Sequence, residues 1–443
     1  MLPAFLRTRR GRAAAALVLV LAGGALAYLV GRKAGNESHP GVEFTATTPK
    51  AKPSAADRFL WPYYGYDAAH TKVLPASRAV RPPYRRGWTY SQRALLEFPP
   101  SIARGSMYVL RDDGVLVAIR LRKGKVRWKK RLGRLAAASP AVDGKRVWVT
   151  LLAYRGSKTG RVACLRARDG KLLWSHELPS RAESSPILAG GRLVFGTEDG
   201  MVYAYRARDG KRLWTFRAAG AVKGSPALSR GVLYFGDYGG EVHAIRLKDG
   251  SPVWSTATSG GVFGRSGTFY ATAAVAFGRV YVGNTDGRMY SFAASSGKLA
   301  WATSTGAYVY SSPAVLDVPG LGPTVYAGSY DGNLYAWDAR SGAVRWKYAA
   351  GGKISGGVFI VGDLVWFADL LHKRVIALGL RQGRERFSFG DGAFNPVVSN
   401  RRELYVIGFG SIYQLIPKRK AHAGRQDASG SRPRRGGRAP RRR

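Results

Sequence analysis

The feature that most constrains this chain is a unit that recurs along it. Each copy opens on a glycine, runs through a short apolar strand and a second glycine, and ends on a tryptophan fourteen residues after the first glycine. The clearest copies are Gly160 to Trp174 (GRVACLRARDGKLLW), Gly200 to Trp214 (GMVYAYRARDGKRLW), Gly240 to Trp254 (GEVHAIRLKDGSPVW) and Gly332 to Trp346 (GNLYAWDARSGAVRW). Gly114 to Trp128 and Gly287 to Trp301 follow the same pattern, and Lys373 to Phe387 is a decayed seventh copy. The terminal aromatics stand 40 to 47 residues apart. Upstream of most copies lie a Ser-Pro step, as at Ser139-Pro140, Ser185-Pro186, Ser225-Pro226 and Ser312-Pro313, and then a further strand such as RLVFGT or VLYFGD. Four short strands per unit of about 43 residues is the sequence form of a propeller blade.

After Phe387 the chain supplies three more strands but no terminal tryptophan strand. The missing piece stands at the other end, Arg86-Gly-Trp88-Thr-Tyr, 40 residues before Trp128. A strand from the start that completes the last blade would close the ring and remove its open edges. The expected fold is therefore all-β: an eight-bladed β-propeller of four-stranded antiparallel blades over 59–417, closed by that N-terminal strand. Seven blades is the alternative count.

The repeat also assigns most conspicuous residues to structure. Asp-Gly pairs such as Asp199-Gly200 and Asp331-Gly332 suit hairpin turns that need positive φ. The once-per-unit tryptophans Trp88, Trp128, Trp174, Trp214, Trp254, Trp301 and Trp346 are expected to dock between neighbouring blades. His243 fills a slot held elsewhere by Tyr203, Tyr290 and Tyr335. Cys164 fills a slot of small residues and reads as buried rather than nucleophilic.

With one Cys and six scattered His, the chain has no disulfide framework, Cys-based zinc site or iron–sulfur cluster. It has no HExxH, P-loop or GxSxG motif either, so no catalytic and no metal-binding residue is assigned. Candidate ligand residues come from the propeller geometry instead. Side chains just before each blade's first strand should gather at one mouth of the central channel. They are Glu97, Glu183, Lys223, Tyr310 and Lys353, with Arg265 in a longer connection into the fifth blade.

The flanks read differently. Residues 1–12 carry four arginines, and 13–31 are uncharged and apolar enough to span a bilayer as one helix. The positive charge before that run places the propeller on the outer side of the membrane. Ala25-Leu26-Ala27 leaves a cleaved signal peptide as the alternative, with a secreted product. Residues 32–58 read as a flexible linker and 418–443 as a disordered basic tail. Lys and Arg number 71 against 27 Asp and Glu, and 34–417 alone retains 54 against 26, so the charge belongs to the propeller as well as to its tails. Such a surface favours an anionic partner such as acidic lipid headgroups, a cell-wall anionic polymer or an acidic envelope protein; the outward topology argues against nucleic acid. The propeller is expected to be monomeric.

The D-G-x-[LV]-Y-A and [DS]-G-K-x-x-W strands, as in Asp199 to Trp214 and Asp331 to Trp346, resemble the pyrroloquinoline-quinone (PQQ) repeat of tryptophan-docking propellers. The segment Trp61-Pro-Tyr-Tyr-Gly-Tyr-Asp67 is similar to the lead-in of such proteins. The resemblance covers 60–417 and implies one of two functions. One branch is the quinoprotein alcohol dehydrogenases, which hold PQQ and calcium over the channel with Glu, Asn and Asp ligands, an Asp base and a vicinal Cys pair. The other is the propeller lipoprotein of the outer-membrane barrel-assembly machine, a binding scaffold lipidated on a Cys. This chain has neither the Cys pair nor a Cys near its start. The expected function is a non-catalytic, membrane-anchored scaffold at the cell envelope without a cofactor. The alternative is a PQQ- and calcium-dependent dehydrogenase of an alcohol or sugar.

Overall fold

A computed structural model describes residues 35–45, 61–75, 80–154, 159–258 and 267–418. They form eight antiparallel sheets around a common axis, each built on four strands. Seven blades follow one another from Ser101 to Phe389, and each is laid down from its innermost to its outermost strand. The eighth combines three late strands, Val397–Ser399, Leu404–Ile407 and Ser411–Pro417, with Tyr84–Ser91, which pairs antiparallel with the last of them. That pairing joins the two ends of the ring. Among the described residues no helix is long and apolar enough to cross a membrane. The 13–31 segment lies outside them, as does all of the basic tail beyond Lys418.

The tryptophan repeat acts through two contacts that link neighbouring blades. The indole N–H of Trp214 donates to the carbonyl of Leu247 in the following blade at 3.1 Å, and Trp128 and Trp346 do the same to Ala167 and Leu380. Against each indole lies the glycine of the next blade's outer turn. A Cβ on Gly250 would come within 2.7 Å of the Trp214 ring, and one on Gly170 equally close to Trp128. These glycines have φ near +75° and +71°, so backbone conformation and close approach both require them. The Ser-Pro steps carry a second ring of links near the axis. The Ser225 hydroxyl donates to the carbonyl of Ser185 at 2.7 Å, and that of Ser139 to Pro99 at 2.7 Å, about 40 residues apart in each case.

The lead-in does more than precede the first strand. It runs along the inner edges of successive blades through 61–74. Val142 donates its N–H to Pro62, Leu228 to Ala68, Val275 to Ala69, Val315 to Thr71 and Ile360 to Lys72. Val73–Leu74 then adds a parallel strand to the inner edge of the seventh blade. The channel is thereby filled by backbone, with Trp61, His70 and Lys72 fully buried. Burial drives the His70 imidazole down to about 3 and the Lys72 ammonium down to about 7.

The expectation of a flexible linker over 32–58 is corrected for residues 35–45, which are a strap on the fifth blade. Glu37–Ser38 pairs antiparallel with that blade's outer strand. Phe44 stacks on Phe277 at 5.7 Å, and the buried Arg279 guanidinium donates to the carbonyls of Val42 and Glu43. Arg288 donates to the Gly35 carbonyl at 2.6 Å and pairs with Glu37 at 2.9 Å. The strap covers Trp301, which is fully buried while the other docking tryptophans are half-buried. Two arginines binding three carbonyls and one carboxylate of the strap replace the apolar pattern that would have marked a folded segment.

Strand direction sorts the turns between two faces. Connections into the innermost strands and turns between second and third strands lie on the mouth face. Turns after the first strand and between the third and outer strands lie on the opposite face.

Candidate functional site

The connections that open the innermost strands bring Glu97, Glu183, Lys223 and Tyr310 together at the mouth, as their position before each first strand implied. Lys223 Nζ lies 2.8 Å from Glu183 and 3.1 Å from Glu198. The Tyr270 hydroxyl donates to Glu183 at 2.6 Å, and its ring stands perpendicular to Tyr310 at 5.2 Å. Tyr310 in turn packs against Tyr330 at 4.9 Å. Lys353 sits outside this group, its ammonium 5.3 Å from the Tyr330 ring centre. Arg265 lies outside the described residues.

Charge at the mouth is internally balanced at one end and stressed at the other. Burial works against the Lys223 ammonium, but the Glu183 and Glu198 carboxylates outweigh it and hold the group above its ordinary range. Glu97 forms no ion pair among the described residues, and Lys223 attracts it only from a distance. Burial, with Glu183 and Asp112 nearby, pushes its carboxyl up to about 7. The cavity that Glu97, Lys223 and Tyr310 line measures about 40 Å³, because Tyr64 of the lead-in closes it from below. Such a space holds roughly one water molecule, whereas ligand sites run to about 300–1,000 Å³.

Tyr64, Glu198 and Tyr270 were not among the expected mouth residues. Tyr64 belongs to the aromatic lead-in, whose composition signals burial but not where it lies. Glu198 looks like a turn residue of its repeat, and Tyr270 sits in the irregular fifth connection.

The PQQ and calcium implied by the dehydrogenase branch do not fit here. The cavity is too small for a tricyclic quinone, and the Glu183–Glu198 pair already spends its charge on Lys223. Elsewhere among the described residues, Asp237, Glu241 and His243 bring potential ligand atoms within 4.8 Å of one another and are joined by an internal contact. His243 uses Nε2 on Asp237 at 3.0 Å and Nδ1 on the Ser255 hydroxyl at 2.7 Å. It replaces the Tyr335-to-Asp331 hydrogen bond seen two blades later. Cys164 is buried, and that burial pushes its thiol up to about 12.

The sequence model of the family described as outer membrane protein assembly factor BamB matches residues 78–154, 112–309 and 316–413. No curated protein matches the chain. Among solved structures, BamB from Moraxella catarrhalis superposes with a TM-score of 0.60 at 17% identity, covering 75% of this chain and all of that one. The quinohemoprotein alcohol dehydrogenase from Comamonas testosteroni gives 0.66 at 14% identity over 84% of each chain. A europium-containing methanol dehydrogenase gives 0.67 at 12% identity, over 82% of this chain and all of that one. At these identities the superpositions establish a shared fold.

Proposed function

The chain belongs to the family of the outer membrane protein assembly factor BamB, and from that premise we propose that it is a non-catalytic scaffold, tethered by its N-terminal segment to the outer side of the cytoplasmic membrane, that holds a protein or anionic partner at the cell envelope. The observation that carries this reading is the filled channel. In a propeller dehydrogenase the mouth must admit a cofactor and then a substrate. Here residues 61–74 occupy the axis, and about 40 Å³ remains above them. What the molecule offers instead is area: turn-bearing faces on a rigid ring. Membrane tethering rests on the apolar 13–31 run, and the outward orientation on the arginines before it.

Calorimetric titration of the full-length protein with PQQ, with and without calcium, tests the scaffold assignment. No heat at millimolar ligand is expected. Saturable one-to-one binding would overturn the assignment and restore the quinoprotein alternative. A reporter fused to the C-terminus tests the topology separately: it should be active only outside the cytoplasm, and cytoplasmic activity would refute the outward placement.

A further inference from the structure

On the face opposite the mouth, a groove of about 670 Å³ opens between the second and third blades. That volume falls in the range of small-molecule sites. Its floor is Trp148, Leu188 and Leu213, the last 40% exposed, and its walls carry Arg146, Arg192, Arg206 and Arg208. Arg206 and Arg208 share one carboxylate, Asp209, at 2.9 and 3.4 Å, and Arg146 faces Asp143 at 3.8 Å. Arg192 is held by the carbonyls of Gly190 and Lys248 and pairs with no acid among the described residues. Four guanidinium groups against two carboxylates leave two positive charges beside an apolar floor.

The turn at the edge of the groove also differs locally from its counterparts in other blades. In several blades the turn after the first strand places two successive residues in the left-handed region, the second a glycine and the first variable. In the first, fourth and fifth blades that variable residue is Arg104, Arg230 or Phe277, with φ of 44°, 48° and 53°. The third blade has Gly190 there, with φ 53°, so this turn presents no side chain at the edge of the groove; a Cβ would face Arg192 at 3.5 Å and Leu247 of the fourth blade at 3.8 Å. The surrounding face is also basic. The outer turns of the first and third blades read RLRKGK at 120–125 and RARDGKR at 206–212, whereas the mouth-face turns carry Asp112, Asp113, Glu198 and Asp199.

We propose that this groove binds an amphiphilic anion. Arg146, Arg192 and Arg208 receive its phosphate or carboxylate, and an aliphatic body lies along Leu188, Trp148 and Leu213. Guanidinium groups bind such headgroups through charge-assisted hydrogen bonds, and the apolar floor gives selectivity over a bare anion. The site does not depend on the scaffold reading, since a propeller of either function would carry it.

Titration of the full-length protein with monomeric dodecyl phosphate, inorganic phosphate and dodecyl maltoside tests the proposal. Dodecyl phosphate is expected to bind saturably at one site per chain, at least tenfold more tightly than inorganic phosphate, with no binding of the maltoside. Arg192→Gln, which leaves the turn intact, should weaken binding at least tenfold. Equal affinity for inorganic phosphate or for the maltoside would overturn the site, as would unchanged binding in Arg192→Gln. Sedimentation with phosphatidylglycerol vesicles separates bilayer from free amphiphile as the source. Vesicle binding that Arg192→Gln leaves intact, without dodecyl phosphate binding, would mean that only the charge of the whole face is at work and would likewise overturn the groove.

Discussion

At the channel mouth three carboxylates stand around one ammonium, and Glu97 is the one that does not pair directly with it. Its carboxyl is raised from 4.5 to about 7, mainly by burial and then by Glu183, so between those pH values the native state holds a proton that the unfolded chain releases. Stability contributed by this group is therefore full below pH 4.5 and lost as pH rises through about 7. Partial exposure reduces the size of the effect to about 1–3 kcal/mol. Glu97→Gln should accordingly match the native protein near pH 4.5 and exceed it at pH 8, as measured by denaturant unfolding at the two values. A difference independent of pH would show that Glu97 titrates normally. The candidacy of Glu97 was readable in the sequence because every blade begins in the same way, which places such residues at one mouth. Its raised pKa was not, because that depends on Tyr64 closing the cavity from a segment more than 30 residues earlier.

Elements show the same division between what repetition encodes and what only packing decides. Blade boundaries, strand count and docking tryptophans were legible because each recurs with a fixed offset. The reason for the glycine in each blade's outer turn became visible only when it was seen against the preceding blade's indole. Gly250→Ala would meet both a positive φ and the Trp214 ring and should cost about 2–4 kcal/mol. Trp214→Phe loses the hydrogen bond to Leu247 and should cost about 1–2 kcal/mol. The smaller ring relieves part of the clash, so the double variant should be less destabilised than the sum. Strict additivity in denaturant midpoints would mean that the two residues do not interlock. The strap was illegible for a different reason. Its apolar content is Val42 and Phe44, and it is held by arginines far along the chain. A protease that cleaves after glutamate should attack Glu37 and Glu43 slowly in the native protein. Phe44→Ser should speed cleavage at least tenfold; equal rates would mean that the strap is not closed in solution.

At the scale of the molecule the strap has a direction, and that direction relates the propeller's two faces to whatever precedes residue 35. Gly35 and Asn36 bond to Arg288 and Ser304, where the third strand begins and the outer strand ends, which is the mouth-face side. Thr45 bonds to Phe277 in a turn of the opposite face. The chain thus arrives from the mouth side. The proposed anchor ends at residue 31, and four extended residues reach no more than about 14 Å. With such an anchor the propeller is expected to hold its mouth toward the bilayer and turn its arginine-rich face outward. This arrangement suits a soluble or wall-borne anion better than the anchoring membrane, and it keeps the groove between the second and third blades accessible. Placing a fluorophore on Tyr308→Cys, an exposed position at the mouth, or on Arg208→Cys, on the far face, distinguishes the two orientations, since the native Cys164 is buried and will not label. In vesicles carrying the full-length protein, a spin-labelled lipid should quench the probe at 308 strongly and the probe at 208 weakly. The reverse order would show that the basic face lies on the membrane, and equal quenching that the strap does not orient the ring.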